Sequence, residues 1–219
     1  MLKDELRALK RAFFPCLSDA SFSHAAAAGG KTDGVACRLE GFSLVELMVA
    51  ISIAAIFLTV SIPVFSNMLA QNELALATNA ARGALMVARE TAVMKGQSVS
   101  LCPGDPSNGC SGDWSAGQWL VFRDSNHNGE LDADETVLQH GIVPGAGQGV
   151  SVDGNGPLRS ALVYMPLGHA ERVSGAFGAG RLRLCVERNI TPNARELVIS
   201  SSGRVRMERV DFGGTCPPL

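Results

Sequence analysis

From Phe42 to Phe65 the chain reads FSLVELMVAISIAAIFLTVSIPVF, 24 residues in which Glu46 is the only charge. As an α-helix this run would span about 36 Å, enough to cross a hydrocarbon layer roughly 30 Å thick. No side of it is polar, so it has to be surrounded by lipid or by other apolar surface, and the reading is a transmembrane helix. A core helix of a soluble domain is the alternative. A secretory signal fits less well, because the apolar run starts directly after Gly41 and is longer than a signal core. An ionised carboxylate inside such a segment costs on the order of 2.5–3.5 kcal/mol at mid-bilayer and less near the interface, so Glu46 needs a partner.

The remaining sequence is segregated in composition. It is poor in aromatics (5% of the chain), while the 24 Gly and 10 Pro gather mainly after residue 96, which predicts turns and short strands there. With 18% charged residues and a net charge of −2, the chain is neither a disordered polyelectrolyte nor cationic over its whole surface. Residues 96–180 carry a net −6, whereas 181–219 carry +3 from seven Arg and no Lys against four acids. Guanidinium without ammonium favours planar, bidentate contacts to carboxylate or phosphate.

Beyond Pro63, the residues Leu74, Ala77, Ala81, Leu85, Ala88 and Ala92 recur at intervals of three and four, a single apolar stripe that predicts helix up to a Gly96 cap. Strands are expected at 97–102, 118–123, 136–142, 160–165, 181–187, 195–200 and 204–210. In the last of these Val205 and Met207 are expected to face inward. Cys102, Cys110, Cys185 and Cys216 allow three disulfide connectivities. The local pairs Cys102–Cys110 and Cys185–Cys216 need the least chain rearrangement; a zinc site is the alternative, without CxxC spacing or clustered His to support it.

The segment Gly41-Phe42-Ser43-Leu44-Val45-Glu46-Leu47, opening an uninterrupted apolar run, resembles the cleavage and methylation motif of type IV prepilins and type II secretion pseudopilins. The resemblance implies a prepilin peptidase cut between Gly41 and Phe42, N-methylation of Phe42, and pairing of Glu46 with the N-terminal amine of a neighbouring pilin in a filament. Pro63 matches the helix-breaking Pro of many pilins, where loss of an amide donor permits local melting. The implied fold class is α+β and pilin-like: a long N-terminal helix, half transmembrane and half amphipathic, packed on an antiparallel β-sheet head. The expected organisation is a leader over 1–41, a membrane and filament-core helix over 42–65, and a head over 66–219. The chain would be single-pass in the bacterial inner membrane, with its head in the periplasm, until it enters a pilus or pseudopilus. A leader of 41 residues is long for that family; a start at Val35 would leave seven and place Cys16 and Cys37 outside the mature protein.

Asp124, Asn126, Asn128, Asp132 and Glu135, with Gly129 between, fit the EF-hand loop pattern of alternating oxygen ligands around a sharp turn. Strand-like flanks replace the helices an EF-hand requires, so a long hairpin loop is the expectation and calcium the alternative. No cofactor is otherwise implied. Neither a G-x-S-x-G setting nor a phosphate loop is present, and His24, His127, His140 and His169 stand singly, so catalysis is not expected.

Near the C-terminus, Gly203-Arg204-Val205-Arg206 followed by Arg209 resembles the GRxR motif of the FimT branch of the GspH/FimT family, the DNA-binding minor pilins of competence pili. Leu101-Cys102, the strand from Trp119 to Asp124 and the Asn128-Gly129 hairpin are also similar to that family. The resemblance implies sequence-independent binding of double-stranded DNA in natural transformation. Arg204 and Arg206, at i and i+2, would stand about 6.5–7 Å apart on one strand face, close to the spacing of successive phosphates. Arg195 on the preceding strand would extend the patch. The alternative is a solvated face salt-bridged to Glu196 and Glu208, in a GspH-like pseudopilin with a structural, priming role. Phe212 is the only aromatic nearby, which favours phosphate contacts over base stacking.

Overall fold

The computed structural model describes residues 43–219. Gly41, Phe42, the leader, Cys16, Cys37 and Val35 lie outside the described residues. Helix α1 runs from Leu44 to Lys95 and contains Pro63. As expected, helix continues on both sides of Pro63, and Ser66 Oγ donates to the Pro63 carbonyl at 3.0 Å. Helical contacts divide the chain after Ile56, and residues 57–219 form one compact unit. Within 44–56 the large apolar side chains Leu47, Ile51, Ile53 and Ile56 are all exposed, and α1 is, among the described residues, a helix long and apolar enough to cross a membrane.

The second half of α1 is amphipathic for the reason its spacing predicts. Leu74, Ala77, Ala81, Leu85, Ala88 and Ala92 are all buried, and the alanines let sheet backbone approach closely. Gly96, at φ +62°, ends the helix in the left-handed conformation that Gly adopts without strain, with Gln97 N–H donating back to Ala92 O at 3.2 Å.

Ten strands follow: β1 (Val99–Asp105), β2 (Gly109–Cys110), β3 (Gln118–Arg123), β4 (Val137–Ile142), β5 (Val150–Gly154), β6 (Leu162–Tyr164), β7 (Ala170–Glu171), β8 (Gly180–Val186), β9 (Ala194–Ile199) and β10 (Val205–Val210), with a 3-10 turn at Gly156–Arg159. They build two antiparallel sheets, one ordered β4-β3-β1-β6-β7 with β2 on β1, the other β10-β9-β8-β5. One face of each sheet joins the α1 stripe in a shared core of Leu74, Leu85, Leu101, Val121, Leu182 and Leu197. On the opposite side of the first sheet Cys102, Leu120, Phe122 and Ala161 form a second cluster, closed by Cys110 and Leu131. Disulfides join Cys102 to Cys110 and Cys185 to Cys216.

Three strands were not expected. β2 and β7 are two-residue pairings, and β5, preceded by Gly149 and ending on Gly154, lies in a Gly-rich stretch that reads as loop until β8 supplies its partner.

Candidate nucleic-acid interface

The motif at 203–206 begins in the turn between β9 and β10. Gly203 is buried at φ +75°, and its N–H donates to Ser200 O at 2.8 Å. A Cβ there would collide with the Gly168 carbonyl oxygen and come within 3.1 Å of Tyr164 Cε1. The turn is docked from two sides: Ala170 N–H donates to Ser201 O at 2.9 Å, while Arg89 of α1 donates from Nε to Gly168 O at 2.9 Å and from Nη2 to Ser202 O at 3.3 Å. Gly203 therefore contributes position rather than contact. Arg89, which aims this turn, carries no sequence signal beyond its place on the helix. Beneath the turn Tyr164 is fully buried with no partner for its hydroxyl, and burial pushes that phenol well above its usual range, Arg89 opposing.

Past the turn the chain becomes an edge strand, since β10 pairs only with β9. Arg204 is exposed and makes no ion pair or side-chain hydrogen bond among the described residues. Arg206 is 68% exposed and, among the described residues, its one ion pair is with Glu208, on its own strand, at 4.0 Å. An exposed pair of that geometry contributes little. Val205 packs against the core, but Met207, expected to face inward, is 37% exposed because β10 is the outermost strand of its sheet.

Glu196, the alternative partner for these arginines, is already taken. It is buried in β9 and receives Arg181 Nη1 at 3.0 Å on one oxygen and Arg183 Nη2 at 2.7 Å and Nε at 2.8 Å on the other. The C-terminal segment closes over this cluster. Arg183 Nη1 donates to Pro217 O at 2.6 Å, its guanidinium lies 4.4 Å from the Phe212 ring centroid, Leu219 N–H donates to Asp153 Oδ2 at 2.6 Å, and Cys216 is bonded to Cys185. Phe212 is thus engaged in a cation–π contact.

Arg195 does not extend the Arg204–Arg206 face. In the β9–β10 ladder Arg206 pairs with Val198 and Glu208 with Glu196, whereas Arg209 pairs with Arg195. Directly paired residues share a face and adjacent residues alternate, so Arg195 and Arg209 leave the sheet on the side opposite Arg206. Burial pulls the Arg195 guanidinium below its ordinary value and the charge of Arg209 adds to that.

The EF-hand-like segment is the loop of the β3–β4 hairpin. Asp124 is buried, with Oδ2 accepting from Ser100 Oγ at 2.5 Å and Gly129 N–H at 3.0 Å. Asp132 Oδ2 accepts from the amides of Asn126 and Asn128, both at 2.8 Å, and Glu135 Oε1 from Ser125 N–H at 2.7 Å. The oxygens are thus spent on donors of the loop itself and on Ser100 of β1, and Leu131 is tucked against the Cys102–Phe122 cluster. Among the described residues no three His, Cys, Asp or Glu groups are placed to hold a metal. Glu46, in the first turn of α1, is exposed.

Residues 40–62 match the prokaryotic N-terminal methylation motif. An apolar helix led by that motif and packed on antiparallel sheets is a pilin-like fold. Residues 77–203, more than half of the chain, match the model of the type II transport protein GspH, and the chain belongs to that family. Among solved structures, the type IV minor pilin FimU of Pseudomonas aeruginosa is similar at 18% identity and TM-score 0.46, covering 63% of this chain and 90% of FimU. The minor pseudopilin EpsH from the type 2 secretion system of Vibrio cholerae is similar at 12% identity and TM-score 0.42, covering 63% of this chain and 97% of EpsH. A comparison with curated protein sequences finds no match.

Proposed function

We propose that this chain is a minor pilin that binds extracellular double-stranded DNA through Arg204 and Arg206 for uptake in natural transformation. In this reading a prepilin peptidase cuts after Gly41, the protein waits in the inner membrane with its head in the periplasm, and the apolar half of α1 then enters a filament with Glu46 neutralised by a neighbouring subunit's amine. Its role is binding rather than catalysis. The observation that carries the reading is that Arg204 and Arg206 stand exposed at i and i+2 where the turn enters an edge strand, while the buried carboxylate Glu196 of the neighbouring strand is saturated by other arginines. Two unspent guanidiniums at that spacing suit successive phosphates of one DNA strand.

The test is duplex binding by the full chain in non-ionic detergent. Duplexes of unrelated sequence are expected to bind about equally, with affinity falling as salt rises by a log–log slope of roughly −0.9 per phosphate contacted. Arg204→Gln with Arg206→Gln should abolish binding, and Arg159→Gln with Arg172→Gln should not. Equal weakening by both pairs would mean that bulk charge sets the interaction. A second reading is favoured by the description of the matched family as a type II transport protein: a minor pseudopilin that primes a secretion filament. Absence of duplex binding at low salt selects it.

A further inference from the structure

A cleft of about 650 Å³ lies beside the first turns of α1 beyond the apolar run. Ala70, Val150 and Val186, all buried, give it an apolar lining. Three exposed charges line it as well, Glu73 of α1 and Glu187 and Arg188 of the β8–β9 connection. Opposite charges around one cleft ordinarily pair. These do not: among the described residues Glu73 and Glu187 have no hydrogen bond or ion pair, and the Arg188 side chain has only Nη1 donating to Ser66 O at 3.0 Å. The guanidinium therefore keeps donors, and the carboxylates keep acceptors, for a ligand that carries both signs.

The position of the cleft narrows the ligand. The apolar run ends at Phe65, and Arg188 is fastened to the next residue, Ser66. With Phe65 at the hydrocarbon boundary, a rise of 1.5 Å per residue puts Ser66 to Ala70 about 2–8 Å beyond it, in a headgroup layer roughly 5–8 Å thick. Glu73 stands about a turn further on, and its side chain tilts toward the helix N-terminus and so back toward the membrane. A guanidinium at phosphate level with carboxylates just outside it matches a phosphoethanolamine headgroup, whose ammonium lies beyond its phosphate. A choline headgroup lacks the N–H donors that the carboxylates would accept. A glycerol headgroup brings net negative charge to two unpaired acids.

The geometry points to a phospholipid-headgroup site: the cleft takes phosphoethanolamine, with the phosphate on Arg188, the ammonium between Glu73 and Glu187, and the glycerol end over Ala70, Val150 and Val186. This rests on the membrane-anchored state in the reading above and names the lipid that the head meets there.

The experiment follows the melting temperature of the full chain in non-ionic detergent as dihexanoyl phosphatidylethanolamine is added, with dihexanoyl phosphatidylglycerol and free phosphoethanolamine as parallel titrations. Wild type should melt higher with the ethanolamine lipid than with the glycerol lipid, by an amount that grows logarithmically above its Kd. It should bind that lipid about tenfold more tightly than free phosphoethanolamine, since burying one or two methylenes adds about that factor. Arg188→Gln should lose the response to both lipids. Glu73→Gln/Glu187→Gln, two changes at exposed positions, should respond equally to the two lipids. Equal responses in wild type, or a wild-type response in Arg188→Gln, overturns the headgroup site. Equal affinity for the lipid and for free phosphoethanolamine assigns the cleft to a soluble phosphoester and overturns the lipid. Flotation with phosphatidylglycerol vesicles separates this inference from the reading beneath it: a chain that floats but shows no ethanolamine preference loses this site alone, whereas a chain that does not float loses the membrane anchor and the site together.

Discussion

One sheet carries the same local pattern twice, Arg181-Leu-Arg183 on β8 and Arg204-Val-Arg206 running from the turn into β10, and the two meet opposite fates. On β8 the guanidiniums are consumed: both bind the buried Glu196 carboxylate, and the C-terminal segment seals Arg183 under Phe212, Pro217 and Pro218. At the start of β10 both are exposed, and among the described residues the acid paired with Arg206, Glu208, sits at the limit of an ion pair. The difference arises from position in the sheet. An interior strand has neighbours on both sides to supply a counter-charge and a tail to exclude water, whereas an edge strand has one neighbour and open solvent. Arginines on the edge also blunt it against pairing with stray strands, so the row that is free to bind a partner is also the one that protects the fold.

That contrast can be broken most forcefully at Glu196. Glu196→Gln leaves Arg181 and Arg183 facing a neutral amide beneath the tail, and removing one member of a buried ion pair costs about 3 kcal/mol or more. The denaturant midpoint should fall accordingly, with the slope unchanged.

Gly203→Ala attacks the other arm. It places a side chain at φ +75° and against the Gly168 carbonyl, which should destabilise by about 1–3 kcal/mol. Because the turn aims β10, the remaining folded protein should also bind duplex more weakly, a combination that no exposed-residue change would give.

A smaller effect of opposite sign is expected at Arg209. Replacing it with Gln relieves the repulsion with Arg195 and should stabilise by about 0.2–1 kcal/mol in anion-free buffer, read as a higher melting temperature. A loss of stability would mean that Arg209 is held by a partner other than bulk solvent.

The smallest effect concerns a region with no part in either row. The Ser107 hydroxyl, then the Asn108 amide and the Ser107 N–H, hold Asp105 down to about 2 from 3.8. A carboxyl depressed on folding contributes stability that is fully present above its unfolded value and is lost as pH falls through the folded one. Melting temperature should therefore decline between about pH 4 and pH 2, and Asp105→Asn should flatten that part of the profile.

The helix and its cap were legible in the sequence because a 3.6-residue period and a terminal Gly express local rules that tertiary structure had no reason to override. The apolar run was legible from its length and composition, and the methylation motif from its resemblance to prepilins. The face assignment of Arg195 was not. Whether it joins Arg206 or Arg209 depends on the parity of the β9–β10 register, which the turn around Gly203 sets; a slip of one residue would have moved every side chain of β10 to the other face. Likewise, nothing local distinguishes Arg181-Leu-Arg183 from Arg204-Val-Arg206. Only the long-range pairing of β8 with β9, and the closure of the tail through Cys185–Cys216, decides which arginines are structural. β5 was hidden because a strand flanked by glycines is defined by its partner rather than by its own propensity.

The central claim is that two identical patterns divide into a structural pair and a binding pair, and it is tested most directly by exchanging the lesion between them. Arg181→Gln/Arg183→Gln and Arg204→Gln/Arg206→Gln remove the same charge from the same sheet, and each is measured for unfolding midpoint and, under conditions where both are folded, for duplex affinity. The account predicts that the β8 variant loses stability and keeps its binding, while the β10 variant keeps its midpoint within about 0.5 kcal/mol and loses binding. Loss of duplex affinity to the same degree in both, or a β10 variant as unstable as the β8 variant, would contradict it.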